Sequence, residues 1–290
     1  MKTILVATDF SDAAHSASLY AVELAKAFNA RIILFNAFQQ VPVPVSEIPV
    51  LTMEEMAVRV ERQLEEEKKL LGEGNDVPIE LFFKPGVANR IIPIAIKEKK
   101  ADIIITGMKK DNTTLRHIFG STVSQLVKNL VVPMIVVPED TTYTSISTIA
   151  LANESDVAPD SDVRLLDTLR LLGERFHSKL YLVRVAENRF QEAYEMLNRP
   201  FKISRMVRTL DPIYECIVGK DVPGALKDFI SGYKINLLAL LTHKQGLWER
   251  LFMKSTTRTM IFETPVPLLI LPDRYTDKTQ NPISEKGALL

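Results

Sequence analysis

Cysteine is nearly absent from this chain: of 290 residues one is cysteine, so no intrachain disulfide can form. That cysteine, Cys216, lies in an apolar-flanked run (213–218), which predicts a buried, inert thiol and not a nucleophile. The four histidines, His15, His117, His177 and His243, have no metal-ligand spacing, and no Ser-His-acid pattern or Walker lysine motif accompanies them. No apolar run approaches the ~18 residues of a membrane span, and the start MKTILVATDF enters a strand without a basic, apolar and small-residue cleavage pattern. A cytoplasmic location away from membranes is therefore expected. Net charge is also lacking. Lys plus Arg and Asp plus Glu number 36 each, so no global field draws the chain to nucleic acid or an anionic surface.

What is present is an ordinary globular composition, 46% hydrophobic and 25% charged, which excludes disorder and fibre. The most informative stretch is residues 101–138, ADIIITGMKKDNTTLRHIFGSTVSQLVKNLVVPMIVVP. It reads as an apolar strand, a polar loop opened by Gly107, a Gly120-Ser121-Thr122 step into a helix, and a second apolar strand between Pro133 and Pro138. A helix entered through Gly-Ser-Thr presents free N–H groups, hydroxyls and the positive end of its dipole, which suits phosphate. It is also an ordinary N-cap. The stretch recurs without a gap at 235–272, displaced by 134 positions (272 minus 138), superposing both prolines and placing Ser255-Thr256 on Ser121-Thr122. The chain is one unit written twice.

Within the first unit, 3–7, 32–37, 79–83, 103–106 and 134–137 are short apolar, β-branched runs. Helical patterns separate them: one from Ser11, a good N-cap, to the stop signal Asn29; one opened by the capping box Thr52-Glu55; one around 91–96, where Pro93 predicts an irregular first turn. Strands without polar alternation belong to parallel sheets covered on both faces. The second unit repeats this with strands at 146–152, 180–185 and 213–218 and helices at 161–176, 190–197 and 225–230. Its middle region, 198–210, is basic with interleaved apolar residues and reads as an amphipathic surface segment. The expected fold is α/β: two tandem doubly wound domains, 1–140 and 146–273, joined by a linker at 141–145. Each carries a five-stranded parallel sheet in the order 3-2-1-4-5 flanked by helices, and the polar tail 274–290 is expected to be disordered.

Three blocks, ILVATDFSDAA, KPGVANRIIPIAIKEKKADIIITG and GSTVSQLVKNLVVPMIVVP, resemble the universal stress protein family over residues 1–138, and the second unit resembles it in its strand and proline layout. The resemblance implies a stress-response regulatory module. Nucleotide-binding members carry Gly, two residues, Gly, nine residues, then Gly with Ser or Thr. Here the first and third positions are Gly107 and Gly120-Ser121, and Lys110 stands at the second. By resemblance Asp9 and the chain around Ala7, Thr8 and Ala37 border adenine and ribose, while Thr106, Gly107, Lys109, Lys110, Gly120, Ser121 and Thr122 face the phosphates of ATP, with magnesium as its companion ion. At Lys110 a positive φ costs roughly 1 kcal/mol or more, although its ammonium could reach a phosphate. The second unit has Leu241, Lys244 and Lys254-Ser255 at these positions, so nucleotide is expected in the first unit alone.

Three functions follow for testing: a tandem module binding an adenine nucleotide, a nucleotide-free interaction scaffold or binder of another small ligand, and a slow ATPase, for which the sequence offers no catalytic group. A phospho-receiver would need acids at the ends of strands one and three, and strand three ends Lys84-Pro85-Gly86. The apolar fifth strands would aggregate if bare, so they are expected to meet in an intramolecular pseudo-dimer, with a further homodimer left open.

Overall fold

The computed structural model describes residues 1–39, 51–109, 121–128, 130–152, 166–198, 201–242 and 264–272. The first strand, β1 (Thr3–Ala7), turns through Asp9 and Ser11 into α1 (Asp12–Phe28). Ser11 caps that helix by accepting the Ala14 N–H, and Asn29 ends it in the left-handed region at φ 49°, its N–H donating to the carbonyls of Ala25 and Lys26. After β2 (Arg31–Phe38), α2 (Met53–Gly72) opens with the complete Thr52–Glu55 capping box. Its apolar stripe, Val60, Leu64 and Leu71, is buried. Then come β3 (Ile79–Pro85), α3 (Ala88–Lys99), β4 (Ile103–Met108), α4 (Ser121–Lys128) and β5 (Met134–Pro138). Pro93 does not disturb the start of α3 as expected. It sits in the second turn, where it removes one N–H that the first-turn carbonyl of Asn89 would have received, and the helix runs through.

The second half follows the same plan: β6 (Thr148–Ala152), α5 (Asp167–Phe176), β7 (Lys179–Ala186), α6 (Arg189–Leu197), α7 (Phe201–Met206), β8 (Ile213–Val218), α8 (Val222–Gly232), β9 (Leu237–Thr242) and β10 (Leu268–Pro272). The α8 helix begins at Val222, before the expected 225, because Asp221 caps it and Pro223 suits its first turn. The part of the expected 161–176 helix before 166 lies outside the described residues. Even the strand-end polar anchors are repeated. Asp102 accepts the N–H groups of Lys2 (2.6 Å) and Thr3 (3.0 Å), and its counterpart Asn236 accepts those of Thr148 (3.0 Å) and the Ser147 hydroxyl (2.8 Å).

Each half forms the expected parallel unit in the order 3-2-1-4-5, but the two are fused into one ten-stranded sheet, β3-β2-β1-β4-β5-β10-β9-β6-β7-β8. The join is the sole antiparallel pairing among the described strands: Leu268 lies opposite Val136, Leu269 opposite Ile135 and Ile270 opposite Met134. Because Leu269 is the repeat counterpart of Ile135, this register is symmetric about that pair. Each fifth strand covers the other's bare edge. Helices α1, α2, α5 and α7 cover one face of the sheet and α3, α4 and α8 the other, and both apolar cores contain residues of both halves. The outer edge at β3 is guarded by charge: Glu80 pairs with Arg31 (3.1 Å) and Lys99 (2.6 Å), and Lys84 with Glu98 (2.6 Å).

Candidate functional site

Between β1 and β4 the sheet order reverses, since β2 leaves β1 on one side and β4 pairs on the other. Crossover helices diverge at such a point and leave a crevice beyond the carboxyl ends of the strands. A cavity of about 230 Å³ occupies it. Seven of the residues singled out in the sequence line it: Ala7, Thr8, Asp9, Ala37, Thr106, Gly107 and Lys109. Lys110 and Gly120 lie outside the described residues. Ser121 and Thr122 are the first two residues of α4, whose Val123 reaches the cavity wall.

The floor is built by the turn leaving β1. The Thr8 N–H extends the ladder to the Phe35 carbonyl (2.9 Å), and its hydroxyl accepts the Phe10 N–H (3.0 Å), with Phe10 in the left-handed region at φ 63°. The Asp9 carboxylate accepts both the N–H (3.1 Å) and the hydroxyl (2.5 Å) of Ser11. It therefore holds the residue that caps α1 while remaining exposed at the positive end of that helix. Sequence reasoning missed Asn36. It is 7% exposed, its amide donates to the Thr8 carbonyl (2.8 Å), and its Oδ1 is buried with no partner among the described residues. An asparagine inside the apolar run IILFNAF was the available signal.

Gly107 has a role its motif position did not disclose. A Cβ built there would stand 2.2 Å from the Ala13 carbonyl oxygen and 2.7 Å from the Ala14 nitrogen. The first turn of α1 thus rests directly on the β4 backbone, and the small residues Ala13, Ala14 and Ala17, all buried, allow that approach. Whatever it does for a ligand, Gly107 is required by packing.

The chain matches the family model described as the universal stress protein family over residues 1–138. A universal stress protein of Methanocaldococcus jannaschii is 31% identical over 140 residues, spanning 47% of this chain and 81% of the relative. The chain belongs to the universal stress protein family. Solved structures extend the likeness in fold to both halves. A universal stress protein from Archaeoglobus fulgidus aligns with a TM-score of 0.69 at 14% identity, covering 94% of this chain and 98% of its own. A putative universal stress protein from Pseudomonas aeruginosa aligns at 0.56 and 13% identity, covering 94% and 93%.

In the second half of this universal stress protein the corresponding reversal lies between β6 and β9. There Leu241 stands in place of Gly107, and the counterpart of Asn36 is Arg184, buried and paired with Glu195 of α6. Beside them the Cys216 thiol is held above its ordinary pKa by burial and by the carboxylates of Glu192 and Glu195, against the opposing pull of Arg184. The thiol is buried, as the sequence predicts, and is disfavoured as a nucleophile at neutral pH. Among the described residues no group of three or more His, Cys, Asp or Glu could hold a metal, and no helix is long and apolar enough to cross a membrane.

Proposed function

We propose that the crevice of the N-terminal half binds an adenine nucleotide, and that its occupancy is a regulatory input to a cytoplasmic stress response. The observation that supports this reading is the cavity at the strand-order reversal, walled by the residues to which the family resemblance assigns the ligand. In this reading the backbone beside Ala7 and Ala37 borders the base, and the Asp9 carboxylate accepts the ribose hydroxyls. The glycines, Ser121, Thr122 and the N-terminus of α4 receive phosphate, with Lys109 and Lys110 beside it. Magnesium, where it takes part, comes with the phosphates, since no acidic cluster awaits it among the described residues. The protein acts as a binding module, and no residue is assigned to hydrolysis.

The test is calorimetric titration of the whole chain with ATP, AMP and GTP at one magnesium and salt concentration. Binding of one adenine nucleotide per chain, weakened about tenfold or more by Asp9→Ala, is expected. Two equivalent sites per chain would refute the asymmetry between the halves, and absence of binding would refute the reading. Lys110→Gly restores the family's glycine and is expected to tighten binding; weakening would make Lys110 a phosphate ligand. A second reading, the scaffold with a smaller ligand, has one observation in its favour: 230 Å³ is below the roughly 300 to 1,000 Å³ usual for small-molecule sites. Mass spectrometry of co-purified small molecules separates the two.

A further inference from the structure

The α6 helix is assembled inside out. None of its residues is buried, yet Phe190, Tyr194 and Leu197 are 86%, 60% and 85% exposed and, with exposed Ala193, share one face at i, i+3, i+4 and i+7 spacing. The acids lie opposite. The Glu195 side chain is 17% exposed and pairs with Arg184, and Glu192 sits close enough to Cys216 to raise its pKa. The α2 helix, on the same face of the sheet, turns Val60, Leu64 and Leu71 inward in the ordinary way. A buried ion pair is a costly means of holding a helix, and isolated apolar stripes of this exposure are unusual on a monomer surface. Together they fix α6 with its apolar side out.

We infer that this outward face is the surface through which two copies of the chain associate. The stripe is self-complementary. With two α6 helices antiparallel about a point between Ala193 and Tyr194, Phe190 of one copy falls opposite Leu197 of the other, and Ala193 lets the backbones approach. The arrangement sets each helix N-terminus, with its exposed Glu187, beside the C-terminus of the other, where the basic residues Lys202 and Arg205 follow. Area is sufficient. With an aromatic side chain offering about 150 to 250 Å², the stripe provides roughly 500 Å² per copy, so about 1,000 Å² between two copies, the lower bound of a specific interface. Such a pair is modest in affinity and concentration-dependent. A lipid surface is the weaker occupant, because the chain carries equal numbers of acids and bases and Glu187 lies at the stripe's own rim.

Sedimentation velocity of the full chain over increasing concentration is expected to show a monomer–dimer equilibrium, with the double substitution Phe190→Ser and Leu197→Ser weakening it about tenfold or more at an unchanged thermal midpoint. In a Cys216→Ser background, Tyr194→Cys is expected to cross-link to itself on mild oxidation, since it lies next to the two-fold axis. A wild-type monomer at every concentration, or a dimer indifferent to the double substitution, overturns the inference. So does a monomer that sediments with phosphatidylglycerol vesicles through the same residues, which would reassign the face to lipid.

Discussion

Gly107 and Gly72 are both glycines in or at regular elements, and their surroundings separate them. Beside Gly107 a methyl group would enter the Ala13 carbonyl, whereas nothing lies within 4 Å of the position it would take at Gly72. Gly107→Ala is expected to destabilise the protein by about 2 to 3 kcal/mol in urea unfolding. Gly72→Ala should be neutral or stabilise by up to about 1 kcal/mol. Tyr20 gives a second contrast. Its ring packs edge-to-face on Tyr143 (5.1 Å between centroids), and its hydroxyl is buried without a partner among the described residues. Burial, aided by Tyr143, raises its pKa strongly. A raised folded-state pKa means that this stability is fully present below the unfolded value near 10 and is lost as pH rises beyond it. Tyr20→Phe should therefore stabilise by about 1 kcal/mol at neutral pH and reduce the alkaline loss, both readable from unfolding midpoints at pH 7 and above 10. Neither environment was legible in the sequence, because the partners Ala13 and Tyr143 lie far along the chain from the residues they constrain.

Helices and strands were far more legible than their orientations. Ser11, Asn29 and the Thr52–Glu55 box marked their helix ends because capping is a local reaction between a side chain and the nearest free N–H or carbonyl groups. The doubly wound order was legible too, since strands of unbroken apolar character need helices on both faces. The rotation of α6 was not. Its acids could be read as facing inward only by knowing that Arg184 of β7 waits beneath them. Removing Glu195 takes a carboxylate away from the buried Arg184 guanidinium, so Glu195→Ala is expected to cost on the order of 3 kcal/mol, while Glu195→Leu combined with Arg184→Met should recover much of it. A double-mutant cycle in urea measures this coupling. For the candidate site, the sequence located the crevice through the ends of β1 and β4 but overlooked Asn36, and it gave no sign of the packing role that Gly107 has against α1.

At the scale of the molecule, the β5–β10 seam decides how the halves behave. Both cores pass across it, so calorimetry of the whole chain is expected to show one unfolding transition. Leu269 is fully buried opposite Ile135, and Leu269→Lys would place an unpaired charge at the centre of the sheet. A loss above about 4 kcal/mol, or separation of the single transition into two, is expected. The symmetric register has a further consequence for where this chain can begin and end. The connector 139–147 carries the chain from the end of β5 to the start of β6, and symmetry about Ile135 and Leu269 makes the path from the end of β10 to the start of β1 its equivalent. A circularly permuted protein, opened within 141–145 and closed by a bridge as long as that connector between Pro272 and Thr3, should therefore reach the same fold. The order of the two halves along the gene would then be interchangeable.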